Sequence, residues 1–378
     1  MQADDYYRLW LCNIPSIGAA KQRKLLKIFG SAENIYKAGE NQLSHIAGIN
    51  REDASNIYKS RDKGQIDSLI CTLNKKRIGF VHSGSPLYPH NLKNISDFPT
   101  GLYYRGKLPD SEVFSVAVVG SRVCTNYGRQ LAQSLCREFS NMGLQVVSGL
   151  AMGIDGAAHK GSLEAGGYTC GVLGCGVDIC YPAVNIGLYD EMCKDGCVMS
   201  EYPVGTKPLS WQFPVRNRII SGLSDAVIVI EARKKSGSLI TVDQALEQGK
   251  DVYVVPGRVG DELSEGCNEL IKNGAFVMTE AKDIVESIRA SGKRTRNSDD
   301  KTSEFLSADS RKINLSSNSL ATKKNMVYSG LDLFPKSLEV IMNENRLDIG
   351  TVTEILLSLQ LEGLVQEISK NCYVRINI

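Results

Sequence analysis

Six short apolar runs between residues 113 and 257 constrain this chain most: VFSVAVVG, LQVVSG, TCGVLG, GCVMSE, DAVIVIEA and DVYVVPG. Most are separated by helical patterns, such as 128–143 and 238–249. Strands apolar on both faces and alternating with helices predict an α/β fold, a Rossmann-like parallel sheet with helices on both sides. Ligands of such sheets bind beyond the carboxyl ends of the strands. There the chain places glycines, in segments 116–122, 146–160, 170–182, 211–224 and 227–241, with few carboxylates and several bases. A strand ending in glycine lets backbone N–H groups close on a ligand, and the following helix offers its positive end. Such turns in series describe a long anion-binding edge, and a nucleic-acid backbone is the long anion that fits it.

Composition limits the alternatives. The chain has 378 residues, enough for two or three domains, with 42% hydrophobic and 23% charged residues. Net charge is only +2, so a nucleic-acid signal has to come from local placement. No apolar run approaches about 18 residues and no basic-then-apolar leader is present, so neither a membrane span nor a signal peptide is expected. The eleven cysteines, several inside strand-like runs, read as small core residues of a reduced, cytoplasmic protein. Cys193 and Cys197 lie four apart, but with four histidines in the chain and none beside them no zinc site is expected. No cofactor is expected either.

The domain reading is as follows. Residues 1–72 form a helical domain of helix-hairpin-helix or SAM-like type. Its Gly18 turn either faces a phosphate or packs in a plain helical cap. Residues 73–288 form the Rossmann-like DNA-binding domain with an N-terminal extension punctuated by Pro86, Pro89, Pro99 and Pro109. Residues 289–325 are polar and serine-rich, a flexible linker. Residues 326–378 read as three helices and a hairpin, the winged-helix plan. Its third helix turns Val352, Ile355, Leu356 and Leu359 to the core and carries Glu354 and Glu362 without a base, a poor face for reading DNA.

The candidate binding groups follow the strands. Ser121 and Arg122 offer a hydroxyl and a guanidinium at a helix start. Gly149 and Gly153 permit tight turns, Asp155 suits an N-cap, and Lys160 lies about a turn beyond it. His159 has no second catalytic group beside it. Gly174 lets the backbone approach a ligand, Asp178 orders its turn, and Tyr181 either stacks on a base or packs. Arg216 and Arg218 flank Asn217, which either bridges two loops or touches a base; ion pairing with Glu201 or Glu231 would occupy one arginine but not both. Ser236 and Ser238 make a further anion nest. The spacing is not GxGxxG, no acidic ribose partner follows the second strand, and no GxxxxGK[ST] loop is present.

The stretch from about 113 to 285 resembles the DNA-processing protein A family, also called Smf. The pieces that carry the likeness are GSR (120–122), SGLAMGIDGAAHKGSL (148–163), GVLGCGVDICYP (171–182), SEYPVG (200–205), FPVRNRIISGLS (213–224), EARKKSGSLIT (231–241) and VPGRVGDELSEGCNELIKNGA (255–275). The resemblance implies a dimeric, non-enzymatic protein. Such a protein binds single-stranded DNA, protects incoming strands and helps load the RecA recombinase in natural transformation. It implies that Arg122, Lys160, Arg216 and Arg218 line one positive pocket. The rival expectation is a nucleotide hydrolase acting on nucleoside monophosphates. That class resembles a PGGxGTxxE loop with an activating glutamate, where this chain has SGSLITVDQ, with Glu231 and Asp243 the nearest carboxylates.

Overall fold

The structure, a computed structural model, describes residues 3–293, 319–331 and 335–376. The chain opens with helices α1 (Ala3–Cys12), α2 (Ala19–Phe29), α3 (Ala32–Lys37), α4 (Glu40–Ser44), α5 (Arg51–Lys59) and α6 (Lys63–Lys75). Trp10, Leu25, Ile35, Leu43 and Ile57 bury the apolar faces that amphipathic helices of this length must cover. Side-chain caps start several of them: Ser31 accepts from Asn34 N, and Asn50 and Asp53 form a reciprocal box. Helix α6 runs past residue 72, so the helical region extends beyond the expected boundary.

Among the described residues nine strands then form one sheet in the order β1-β2-β6-β5-β4-β3-β7-β8-β9. They are β1 (Gly79–His82), β2 (Gly101–Gly106), β3 (Ser115–Val119), β4 (Gln145–Ser148), β5 (Thr169–Val172), β6 (Cys197–Ser200), β7 (Ala226–Val229), β8 (Asp251–Val254) and β9 (Phe276–Val277). The intervening helices are α7 (His90–Lys93), α8 (Asn126–Asn141), α9 (Ile154–Glu164), α10 (Ile186–Asp195), α11 (Gln212–Leu223), α12 (Gly237–Glu247), α13 (Glu262–Lys272) and α14 (Val285–Ser291). Strands β3 to β9 are parallel, as the sequence predicts. In the proline-punctuated extension, the two short strand candidates RIGFV and GLYYRG form β1 and β2 and add an antiparallel edge, β1 to β2 and β2 to β6. The two-residue β9 gave no sequence signal, being shorter than the alternation that identifies a strand.

Strand alternation sorts the core into two layers. Ala117, Val119, Val227 and Val229 face Ile219, Leu223, Val242 and Ala245 of α11 and α12. Val116, Val118, Ala226 and Ile228 face Ala132, Leu135, Phe139 and Ala158 of α8 and α9. Successive connections after β3 run to one side of it, and β7, β8 and β9 are laid on the other. The order therefore reverses at β3, and the crevice between the ends of β3 and β7 is the topological switch point.

The C-terminal region contains α15 (Ser319–Gly330), β10 (Lys336–Ser337), α16 (Leu338–Asn345), α17 (Ile349–Leu361), β11 (Val365–Ser369) and β12 (Cys372–Arg375). Its sheet has the order β10-β12-β11, and Val352, Ile355, Leu356 and Leu359 of α17 fill its core, a winged-helix arrangement. Glu362 falls just past α17 as its C-cap and pairs with Lys324. Of the expected linker, residues 294–318 lie outside the described residues. Its ends are ordered, since α14 continues to Ser291 and α15 begins at Ser319.

Helices α8 and α9 pack so closely that a Cβ on Gly161 would collide with the backbone carbonyl of Gln133. Gly161→Ala gains about 1 kcal/mol of helix propensity. Forcing the two helices apart outweighs that gain, because backbone cannot rotate away as a side chain can. A net destabilisation of about 1–3 kcal/mol is expected in denaturant unfolding. An unchanged midpoint would show that α8 and α9 are less tightly apposed.

Candidate nucleic-acid interface

The crevice at the switch point is a cavity of about 440 Å³. The turn after β3 supplies Gly120, Ser121 and Arg122. The α9 approach supplies Ala151 and Asp155, helix α11 supplies Phe213, Arg216 and Asn217, and the loop into α12 supplies Arg233, Ser236 and Ser238. The start of α12 opens into it, so helix polarity favours a negative group there.

The loops owe their shape to internal bonds. Ser121 donates through its hydroxyl to Val123 O at 2.8 Å and so closes the Gly120–Val123 turn. Gly153 has φ +79°, and a Cβ there would strike Ser121 O, so only glycine joins the β3 and β4 loops this closely. Helix α9 is capped at Gly153, not at Asp155. The Asp155 carboxylate instead accepts from Gly149 N at 3.2 Å and lies beside Arg216. Burial raises its pKa against the pull of that guanidinium. Ser236 caps α12 and shares a 2.7 Å hydrogen bond with Ser238, which is buried. Asn217 donates to Gly237 O at 3.4 Å and so bridges α11 to the α12 loop.

The structure corrects the expected rim of four cations. Arg216 is only 4% exposed and donates from Nη1 to Gly149 O at 2.8 Å and to Val172 O. Burial pulls its pKa down to about 10. Its charge is spent on holding the ends of β4 and β5, which sequence cannot distinguish from a surface arginine one helical position away. Arg218 is also buried, paired with Asp97 at 2.9 Å and Glu201 at 2.6 Å. Ion pairing with Glu201 thus occupies one of the two arginines, as expected, while strand-end carbonyls hold the other. Lys160 lies on the outer face of α9, 3.7 Å from Glu164, in a separate cavity with Glu191 and Asp195. Gly149 and Gly174 leave room for protein: a Cβ at Gly149 would sit 2.7 Å from Arg216 and Asp155, and one at Gly174 2.8 Å from the Phe213 ring.

Arg122 is the cation of that set that remains exposed in the crevice, and it has no ion-pair partner among the described residues. Its guanidinium lies 5.5 Å from the centre of the Phe213 ring, with Arg216 at 5.9 Å from the same ring. Tyr181, 45% exposed, lies 5.4 Å from Phe213 at an interplanar angle of 31°. An arginine and two tilted rings make the kind of surface on which bases can stack without sequence preference. Sequence reasoning passed over Phe213 as a site residue, although it stands beside the basic motif. Arg233 adds a second exposed cation to the wall, shared with Glu262 at 3.3 Å.

Catalytic groups do not converge here. Both Glu231 oxygens accept from Thr125, from its N–H at 2.8 Å and its hydroxyl at 2.5 Å, so the candidate base is the anchor of α8. Asp243 is exposed and lies outside the crevice lining. His159 is wholly buried, its Nδ1 2.6 Å from Thr169 Oγ1. Among the described residues no group of three His, Cys, Asp or Glu could hold a metal ion.

A doubly wound sheet with an exposed arginine beside an aromatic ring at its switch point fits the class of nucleic-acid strand binders. Residues 79–289 match the family model described as DNA recombination-mediator protein A. The chain is 40% identical over 263 residues to the DNA processing protein DprA of Streptococcus pneumoniae, covering 70% of this chain and 92% of that one. It is 39% identical to Protein Smf of Escherichia coli, covering 61% and 62%. The X-ray structure of the Streptococcus pneumoniae protein superposes with a TM-score of 0.66 at 36% identity, over 76% of this chain and 98% of that one. DNA processing protein A from Helicobacter pylori, solved to describe its single-stranded DNA binding mode, gives 0.51 at 29% identity, over 57% and 97%. This chain belongs to the DNA-processing protein A (DprA/Smf) family, whose model is described as a DNA recombination mediator.

The buried imidazole generates a pH signature. Burial, with Arg216 nearby, lowers the His159 pKa from 6.5 to about 3. The unfolded chain therefore binds this proton before the folded one does. The stability involved is fully present above pH 6.5 and is lost as pH falls toward 3. Between pH 7 and pH 5 the native protein should lose about 2 kcal/mol that His159→Asn, which keeps a donor toward Thr169, does not lose. Equal losses in urea unfolding at the two pH values would contradict a buried neutral ring.

Proposed function

We propose that this chain binds single-stranded DNA along the carboxyl edge of its parallel sheet and acts there as a recombination mediator. The observation that carries this reading is Arg122: exposed, unpaired, set over Phe213, and surrounded by amide-bearing turns. A phosphate meets the guanidinium and the α12 amino end while a base stacks on Tyr181 and Phe213. Gly120, Ser121, Gly149, Gly153, Ser236 and Ser238 shape the turns, Arg216 and Arg218 fix α11, and Lys160 makes at most a peripheral phosphate contact.

The same reading includes loading of RecA onto the bound strand, which the family resemblance supports. It includes a homodimer formed at the β9 edge, where Phe276 and Val277 are 53% and 45% exposed on a strand paired on one side only. It also includes a cytoplasmic location, supported by eleven cysteines that are all free. No helix among the described residues is long and apolar enough to cross a membrane. We assign strand binding to the sheet domain and a protein-contact role to the winged-helix region, whose α17 carries an acidic residue and no base.

Arg122→Ala tests the site. The side chain is exposed, so thermal stability should not change, while affinity for oligo-dT should fall about tenfold or more. The slope of log affinity against log salt should become shallower by about 0.7, one single-strand phosphate contact. Lys160→Ala should weaken binding less. Unchanged affinity and slope in Arg122→Ala would reject the crevice as the strand site.

A further inference from the structure

Helix α11 has a second working face. Phe213, Pro214 and Asn217 look into the switch-point crevice, while Trp211, Val215 and Arg218 line another cleft of about 440 Å³ on its other side. The opposite wall of that cleft is the helical hairpin, from Ser16 and Gly18 to Lys21 and Arg23. A strand leaving the crevice reaches this cleft by crossing one helix, about 10 Å.

Three features of the cleft await a ligand. Trp211 is 58% exposed and stands edge-on to Tyr202, their ring centres 6.2 Å apart at 84°. Gly18 precedes α2 without any side-chain cap for the first-turn amides. Arg218, only 6% exposed, keeps Nη1 without a partner, and Glu201 Oε1 and Tyr202 OH are likewise buried and unpartnered. Buried donors and acceptors without partners cost stability unless something completes them. The lining carries three cations, Lys21, Arg23 and Arg218, against two carboxylates, Asp97 and Glu201. That near balance suits a neutral base in the floor better than a phosphate.

Resting on the strand-binding reading above, we propose that this cleft is a second subsite for the same single strand. One base stacks on Trp211 and turns its edge toward Arg218 Nη1, Glu201 Oε1 and Tyr202 OH. The adjoining phosphate lies at the amino end of α2. Every base presents both a donor and an acceptor on its pairing edge, so the subsite accepts any sequence.

The test uses the full chain and a twelve-nucleotide oligo-dT carrying 5-iodouracil in place of thymine. Ultraviolet irradiation should give a covalent adduct at Trp211, located by mass spectrometry, besides adducts in the crevice. Trp10, the other tryptophan, is buried and hydrogen-bonded to Ser60 and should stay unmodified. Measured by fluorescence anisotropy, Trp211→Ala should lower affinity roughly tenfold and Trp211→Phe should largely preserve it. Both results are required. Binding that depends on Arg122 but gives no Trp211 adduct overturns the subsite and leaves the proposed function standing, even if Trp211→Ala weakens it. Absence of any oligo-dT binding overturns both.

Discussion

The buried guanidinium of Arg216 is the contact on which this architecture turns. It joins the carbonyls of Gly149 and Val172, at the ends of two neighbouring parallel strands, to a helix that arrives from a distant part of the chain. Losing it would strand Asp155 and two strand-end carbonyls in the interior, an expensive arrangement. While it holds, α11 cannot slide along the sheet edge. Phe213 then stays over Gly174, in range of Arg122, and the crevice keeps its shape without a ligand.

This fixed helix shows how a chain of net charge +2 could present a strand-binding edge of the kind proposed. Its positive character is concentrated by geometry rather than by number. Two bases of the sharpest basic segment are internal: Arg216 serves the strands and Arg218 serves Asp97 and Glu201. What faces outward is Arg122, Arg233 and a helix start, together with the Tyr181 and Phe213 rings. A surface of this kind favours a flexible strand, whose bases are free to stack, over a duplex, whose bases are already stacked.

The sheet was legible because both faces of each strand are apolar, so VAVV, QVVS and VIVIEA have few other ways to be buried. The winged-helix plan was legible from the apolar spacing of Val352, Ile355, Leu356 and Leu359. Loop glycines located the crevice for the same reason: a strand end that turns at once needs them. What sequence could not resolve was side-chain direction. Arg216, Asn217 and Arg218 are consecutive, and on a helix they point to the strand ends, the α12 loop and the carboxylate pair respectively. Lys160 follows the buried His159 by one position, about 100° further round the helix, and there meets solvent. The role of Phe213 depended on a pairing with Tyr181, 32 residues earlier, that only the closed fold creates.

The central claim is that the strand lies across the switch point, in the crevice between the ends of β3 and β7. A crystal structure of the chain with a short oligo-dT tests it most directly. The account predicts a phosphate within hydrogen-bonding distance of the Arg122 guanidinium and a base stacked against Tyr181 or Phe213. A strand bound elsewhere, with the crevice empty and Arg122 in contact with solvent, would contradict it.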